Sequence, residues 1–230
     1  MHLISVTRRV LVWVNACVLV AALVYGLILD NPGAAFSEDG FVTYASGWQL
    51  YLCSTLSVVN GYFFFNSQRR LLLIDGLFWF ALASGFLFLA FDEFFMYHES
   101  MDRYIHHLFA LDETPWTDRL DDVLVGLYVA AAVLVVWLAG RIRSFFGKAK
   151  RMFSIGLSLA MIMVFLDVIT NGPELMSWVF GAGLGEWLRT WLSVLEDALK
   201  LLSVFVFLNG LLFNLEEILL KSIDLVEGRD

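Results

Sequence analysis

The chain has 230 residues, of which 60% are hydrophobic, with a mean hydropathy of +0.75 and a formal net charge of −8. This composition excludes an ordinary soluble domain, because the remaining residues are too few to build a water-facing surface. The acidic balance also argues against nucleic acid as a partner. We therefore expect residues 1–230 to form a single polytopic membrane domain whose main partner is the lipid bilayer.

Six apolar segments follow one another along the chain, and each is close to the roughly 20 residues that a helix needs to cross the hydrocarbon core. The predicted spans are 10–29, 41–65, 71–91, 123–140, 152–170 and 187–213. The first segment is longer than the apolar region of a secretory signal peptide, so we expect it to be retained as a membrane anchor. The expected fold class is an all-α integral membrane protein, a bundle of about six transmembrane helices.

The charges between the predicted spans differ between the two sides of the membrane. If the six helices alternate in direction, one side carries most of the basic residues: Arg8, Arg9, Arg69, Arg70, Arg141, Arg143, Lys148, Lys150, Arg151 and Lys221. The opposite side carries acidic loops, such as the one that contains Asp112, Glu113 and Asp118. Because positively charged loops stay in the cytoplasm, we expect both termini to be cytoplasmic and the acidic face to lie outside.

The densest group of ionisable residues follows the third span, in residues 92–107, and contains three of the four histidines. Ionisable groups are costly to desolvate near a membrane, so a dense cluster there indicates a functional site. On one continuous helix, at about 100° per residue, several members would share a stripe. These members are Asp92, Met96, Glu99, Arg103 and His106.

The same cluster suggests a metal site. His98, Asp102 and His106 follow at intervals of four residues, so their side chains would lie along one flank of a helix. Nitrogen and carboxylate ligands suit divalent zinc, iron or manganese. A single helix cannot surround an ion with these three ligands alone, so Asp92 and Asp122 complete the expected set. Capping of a helix at the membrane interface and proton relay are the alternatives for these histidines.

The last two spans carry further charges that lie deep in the membrane. Counting 1.5 Å per residue from the cytoplasmic ends, four helices bring a carboxylate to nearly one level. These carboxylates are Asp92, Asp122, Asp167 and Glu196. Lys200 lies deeper still and needs a carboxylate or water, and Glu196, one turn earlier, is its expected partner. The sixth span carries its own polar stripe, formed by Glu186, Arg189, Ser193, Glu196, Asp197 and Lys200. We therefore expect the polar stripes of the third and sixth spans to face a common interior. A structural ion pair or a solvated outer rim is the simpler alternative.

A short signature accompanies these charges. The string Ala90-Phe91-Asp92-Glu93 is followed after four residues by His98-Glu99, and the last span carries the acidic pair Glu196-Asp197. These motifs resemble those of a group of uncharacterised multi-pass bacterial membrane proteins with a Leu-Asp-Glu and a His-Glu motif. The chain departs from that signature at Phe91. The resemblance implies the bacterial inner membrane as the location and a functional role for the acids, and it implies no particular activity or cofactor.

Two classes of function follow from these residues. In the first, a divalent metal ion promotes a reaction on a lipid or small amphiphile, as in a metal-dependent membrane hydrolase. Glu93 or Glu99 would then act as general base, and Lys200 would stabilise an anion. In the second, a transporter or ion-pathway subunit, protons or cations pass along ionisable residues of the last two spans. These residues are Asp167, Glu196, Asp197 and Lys200. An accessory subunit that docks a partner through its polar face is a third interpretation.

Overall fold

The structure, a computed structural model, describes residues 2–37, 39–67, 73–109, 120–139, 141–142, 144–170 and 173–227. All regular secondary structure in these ranges is helical, which confirms the expected all-α class. The helices are α1 (His2–Ile28), α2 (Phe41–Ser67), α3 (Leu73–Phe95), α4 (Tyr97–Phe109), α5 (Leu120–Ala139), α6 (Gly147–Thr170), α7 (Pro173–Phe180) and α8 (Ala182–Glu227).

Among the described helices, four are long and apolar enough to cross a membrane, namely α1, α3, α6 and the Ala182–Ile223 part of α8. This finding is consistent with a membrane protein. The apolar part of α5, Val125–Ala139, is shorter, and α2 buries polar side chains such as Ser57 and Asn60. The described residues of the six predicted segments lie on helices, apart from Leu29 just after α1. The number of membrane spans stays a prediction.

The third predicted helix does not continue through the histidine cluster. α3 ends at Phe95 and α4 begins at Tyr97, and Met96 between them has a positive φ of 50°. This left-handed conformation is uncommon for a residue with a side chain and interrupts the helical path. The expected continuous stripe from Asp92 to His106 is therefore wrong, because its first residue lies on α3 and its last on α4.

The last predicted span is part of a longer helix. α8 continues from Ala182 to Glu227, and the short helix α7 packs beside it. Gly181 between the two helices has a φ of +80°, which glycine adopts without the steric cost that a Cβ atom would bring. Since α7 also contacts α6, it covers the end of the bundle at which α6 stops.

The large helices pack in a ring. α2 lies between α3 and α8, α6 packs along α8, and α5 packs along α6 and touches α3 again. Aromatic rings connect these helices, with Phe86 of α3 and Phe207 of α8 both packed against Phe153 of α6. The helices therefore surround a common space, and the charged side chains of α3 and α8 lie beside it.

A neutral polar network joins three segments at another level of the bundle. Asn214 Nδ2 on α8 donates to Asn60 Oδ1 on α2 and to the Ser144 carbonyl oxygen, both over 3.0 Å. Asn214 Oδ1 accepts from the Phe146 N–H over 2.9 Å, and Asn60 Nδ2 donates to the Leu211 carbonyl oxygen over 3.2 Å. Both asparagines are fully buried. We call this group the Asn60–Asn214 network.

Candidate functional site

At the centre of the site, the Lys200 ammonium lies between carboxylates from two helices. Its Nζ is 2.9 Å from Glu93 Oε1 on α3 and 3.0 Å from Asp197 Oδ1 on α8. The three side chains are 11% to 22% exposed, so their charges are only partly hydrated. Lys200 thus pairs with Asp197 rather than with Glu196, the partner expected from the sequence. We call Glu93, Asp197 and Lys200 the Lys200 triad.

Helix α2 adds a hydroxyl to the Lys200 triad. Ser46 is fully buried, and its Oγ donates to Glu93 Oε1 over 2.7 Å. Glu93 Oε1 therefore receives both a hydroxyl and an ammonium. Ser46 is not among the residues expected from the sequence, because it is small and uncharged. The sequence signal that could have found it is the recurrence of small polar residues at helical spacing within an apolar segment: Ser46, Ser57 and Asn60.

Glu196 lies beside the Lys200 triad in surroundings that are mainly acidic. The Thr170 hydroxyl at the end of α6 donates to Glu196 Oε2 over 3.1 Å. Asp167, nearly one turn earlier on α6, and Asp197 both lie close enough to repel the Glu196 carboxylate, whereas Lys200 attracts it. Because two like charges and one opposite charge act on Glu196, a proton or cation at this position would lower the electrostatic energy.

Asp92 and His98 are in direct contact across the turn at Met96. Asp92 Oδ1 accepts a hydrogen bond from the His98 backbone N–H over 2.9 Å, and Asp92 Oδ2 lies 3.0 Å from His98 Nδ1. The first N–H groups of a helix lack partners within the helix, and a carboxylate there also interacts favourably with the helix dipole. Asp92 therefore stabilises the start of α4 and connects it to α3.

A cavity of about 680 Å³ lies beside these charged groups. Its lining includes six carboxylates, two permanent cations (Arg189 and Lys200) and one histidine, His98. The carboxylates are those of Asp39, Asp92, Glu93, Asp167, Glu196 and Asp197. Much of the remaining lining is apolar and comes largely from α5 and α6. The cavity thus combines a negatively charged wall with a hydrophobic one.

Four other residues that the sequence placed at the site are not seen at the cavity. Two lie away from it, and the side chains of the other two are not described. Glu99 forms an exposed ion pair with Arg103, one turn later on α4, and does not line the cavity. His106 is also on α4 and away from the lining. The side chains of Asp102 and Asp122 are outside the part of the structure that is described. The structure therefore brings together Asp92, Glu93, His98, Asp167, Glu196, Asp197 and Lys200 around one cavity.

The metal set expected from the sequence is not assembled by the residues that the structure shows. Among the described side chains, no group of three His, Cys, Asp or Glu residues is placed to hold a metal ion. His98 is instead in contact with Asp92. A divalent site formed by His98, Asp102 and His106 with Asp92 and Asp122 therefore stays a prediction, because two of the five side chains lie outside the described part.

Comparison with known proteins relates the chain to one family. The family model described as "Domain of unknown function (DUF8692)" matches residues 10–215. This range contains every residue that lines the cavity. No curated protein and no solved structure matches the chain.

Proposed function

This chain belongs to the family described as "Domain of unknown function (DUF8692)", and we propose that it is a membrane protein whose cavity binds protons or cations and couples them to transport. The observation that supports this proposal is the excess of carboxylates over cations around the cavity. Ionisable residues inside the membrane-spanning part of a protein are costly to bury and mark substrate or ion pathways and proton relays.

The Lys200 triad supports the proposal through its charge balance. Two carboxylates and one ammonium leave one negative charge in excess when all three groups are ionised. Partly dehydrated charges are costly unless they are paired, so the uncompensated charge attracts a proton or a cation from the cavity. A cation that binds Asp197 competes with Lys200, because both would interact with the same carboxylate. Ion binding and the Lys200–Asp197 ion pair are therefore coupled.

Glu196 is the proposed first acceptor. It lies near Asp167 and Asp197, so neutralising it removes two repulsive interactions. A proton would bind a Glu196 oxygen, and a cation would lie between Glu196 and a second carboxylate. The Thr170 hydroxyl contacts Glu196 Oε2 and holds the side chain toward α6. Binding of a proton or cation at Glu196 therefore changes the energy of the site. Coupled transport requires such an energy difference between the occupied and the empty protein.

The proposed topology has six spans, with both termini in the cytoplasm of a bacterium and the protein in the inner membrane. Basic groups gather around one part of α8: Arg8 and Lys148 lie 3.9 and 5.9 Å from the Phe213 ring, and Lys221 lies 3.8 Å from the Phe146 ring. The acidic cavity residues lie more than ten residues earlier on α8. This separation of charge supports a cytoplasmic location for the basic part.

Cysteine labelling tests this topology in intact cells, in a variant that lacks Cys17 and Cys53. A cysteine that replaces Asp112 should react with a membrane-impermeant maleimide, and one that replaces Arg143 should react only after the cells are opened. Labelling of the second position in intact cells would contradict the proposed orientation.

A metal-assisted reaction on a lipid or small amphiphile is the second candidate function. The contact between Asp92 and His98 at the cavity favours it, because carboxylate and imidazole groups bind zinc, iron and manganese. Glu93, the candidate general base, lines the same cavity and contacts Lys200 and Ser46. Metal analysis of the purified protein tests this function: a stoichiometric metal that is lost in His98→Ala supports it.

Reconstitution into liposomes tests the transport proposal. Liposomes contain a pH-sensitive dye or a sodium indicator, and a potassium diffusion potential, negative inside, drives cation entry. We expect the protein to carry protons or sodium faster than protein-free liposomes do. Glu196→Gln should lower the rate at least roughly tenfold, which corresponds to about 1.4 kcal/mol in activation free energy.

The matched control for this experiment is Glu217→Gln. Glu217 lies on the same helix but outside the cavity lining, so its replacement removes the same charge and should leave the rate unchanged. Folded protein that carries neither ion faster than empty liposomes would overturn the proposal. Equal rates for the wild type and Glu196→Gln would overturn the role of Glu196.

A further inference from the structure

The cavity is much larger than an inorganic ion requires. Its volume of about 680 Å³ lies within the range of roughly 300 to 1,000 Å³ that small organic molecules occupy in proteins. A dehydrated metal ion would fill a small part of this space, and the rest would hold water against hydrophobic side chains, which is unfavourable. The volume therefore favours a ligand with a body of many heavy atoms.

The apolar side chains that α5 and α6 contribute to the cavity are suited to an apolar body. Val125, Val129 and Ala132 line the cavity from α5, and their spacing of four and three residues places them on one helix face. Leu157, Ala160 and Val164 line it from α6 at intervals of three and four residues. An apolar group that displaces water from this wall gains hydrophobic free energy in proportion to the buried area.

Two aromatic rings line the same cavity on the helices that carry the charges. The ring of Phe86 on α3 and that of Phe207 on α8 lie 5.7 Å apart. They lie six residues before Asp92 and seven residues after Lys200, which is about 10 Å along each helix. Aromatic faces attract organic cations through the negative potential of the ring. A ligand of this size can therefore contact the rings and the acidic groups together.

The acidic wall determines the sign of the ligand's charge. Among the described residues of the lining, an anion would meet six carboxylates and two permanent cations, Arg189 and Lys200. A positive group near Glu196 would instead offset the repulsion from Asp167 and Asp197. We therefore propose that the cavity binds an organic cation with an apolar body, such as a lipophilic amine or quaternary ammonium. This inference rests on the proposed transport function and names the class of its substrate.

A pair of ions with opposite charge and nearly the same shape provides the test. Tetraphenylphosphonium is a lipophilic cation, and tetraphenylborate is its anionic counterpart. Each is titrated calorimetrically into the purified full-length protein in a nonionic detergent, with the heat of titration into protein-free micelles subtracted. We expect saturable binding of tetraphenylphosphonium at one site per chain and at least roughly tenfold weaker binding of tetraphenylborate.

Two variants on α5 locate the binding site. Ala132→Phe places a large side chain into the cavity and should weaken tetraphenylphosphonium binding at least roughly tenfold. Ala130→Phe, two residues earlier on an exposed part of the same helix, should bind as the wild type does. Thermal unfolding confirms that both variants are folded, and Ala132→Val replaces Ala132→Phe if that variant does not fold. A third variant, Glu196→Gln, should weaken binding of the cation and not that of the anion.

The outcomes separate this inference from the proposed function. Equal affinity for the two ions, or unchanged binding of tetraphenylphosphonium by folded Ala132→Phe or Ala132→Val, would overturn the ligand class. If that happened while liposomes still showed proton or sodium transport that depends on Glu196, the transport proposal would stand and the organic-cation proposal would fall. Selective cation binding at the cavity without any transport would support the ligand class and overturn the transport function.

Discussion

Two of the polar clusters in the described part of the bundle, the Lys200 triad and the Asn60–Asn214 network, differ in charge and in packing. Ser46 and Asn60 are fourteen residues apart on α2, as are Lys200 and Asn214 on α8, so the two clusters are separated by about 21 Å along both helices. The two asparagines of the network are neutral and fully buried, and they bond to each other and to backbone groups. Ser144, whose carbonyl accepts from Asn214, also donates its hydroxyl to the buried Asp75 carboxylate. The triad carries an excess charge and lies beside a cavity.

This difference teaches how a site can be distinguished from a structural contact among buried polar groups. A neutral network whose donors and acceptors are satisfied connects helices and has no need of a ligand. A charged cluster that is incompletely neutralised and faces open space has a free energy that changes when a proton or cation binds. We therefore expect changes in the network to affect stability alone and changes in the cluster to affect transport as well.

The largest effect is expected for Lys200→Met. This change leaves Glu93 and Asp197 buried side by side without their cation, and breaking a buried ion pair from one side costs about 3–5 kcal/mol. Thermal unfolding in detergent, followed by tryptophan fluorescence, measures the loss. Transport should also be lost.

The control is Lys221→Met. The Lys221 ammonium lies 3.8 Å from the Phe146 ring, and its removal should lower the free energy of unfolding by about 1 kcal/mol or less. Similar losses for both lysines would contradict the special role of the triad.

The second prediction concerns the neutral network. Asn214→Leu keeps the branched shape of the side chain, although with a larger volume, and leaves the Phe146 N–H and the Asn60 Oδ1 without their partner. Each unsatisfied buried group costs about 1–3 kcal/mol, so we expect a loss of about 2 kcal/mol or more in the free energy of unfolding. Transport per folded molecule should be unchanged. A folded variant with impaired transport would show that the network is part of the pathway.

The sequence predicted the helical class because the length of an apolar segment is directly readable. It did not predict the break at Met96, since neither proline nor glycine marks it, and the contact that supports the break comes from Asp92, six residues before His98. It also did not predict Glu93 as the partner of Lys200, because hydropathy does not determine which helices are neighbours. Glu196 and Asp197 are adjacent residues whose side chains point about 100° apart around α8. The sequence alone does not determine which of the two contacts Lys200.

The third prediction tests a cavity residue whose contact is structural. Asp92→Ala removes the acceptor for the His98 backbone N–H at the start of α4, and the loss of a helix cap costs about 1 kcal/mol. Amide hydrogen exchange should therefore become faster in α4, Tyr97–Phe109, with little change in α8. The matched control is Glu99→Ala, which breaks only the exposed pair with Arg103 and should cost less than about 0.5 kcal/mol. Unchanged exchange in α4 would show that Asp92 does not hold the turn.

The smallest effect on stability is expected for Glu196→Gln, and it separates the two clusters most clearly. Glutamine has nearly the same shape and can still accept the hydrogen bond from Thr170, while the repulsion by Asp167 and Asp197 disappears. The attraction to Lys200 also disappears, so the two changes partly cancel. We expect the free energy of unfolding to stay the same or rise by about 1 kcal/mol or less, while transport falls. Thermal unfolding and liposome flux measured on the same preparation test both parts. A purely structural role for Glu196 predicts the reverse, a loss of stability with transport per folded molecule intact.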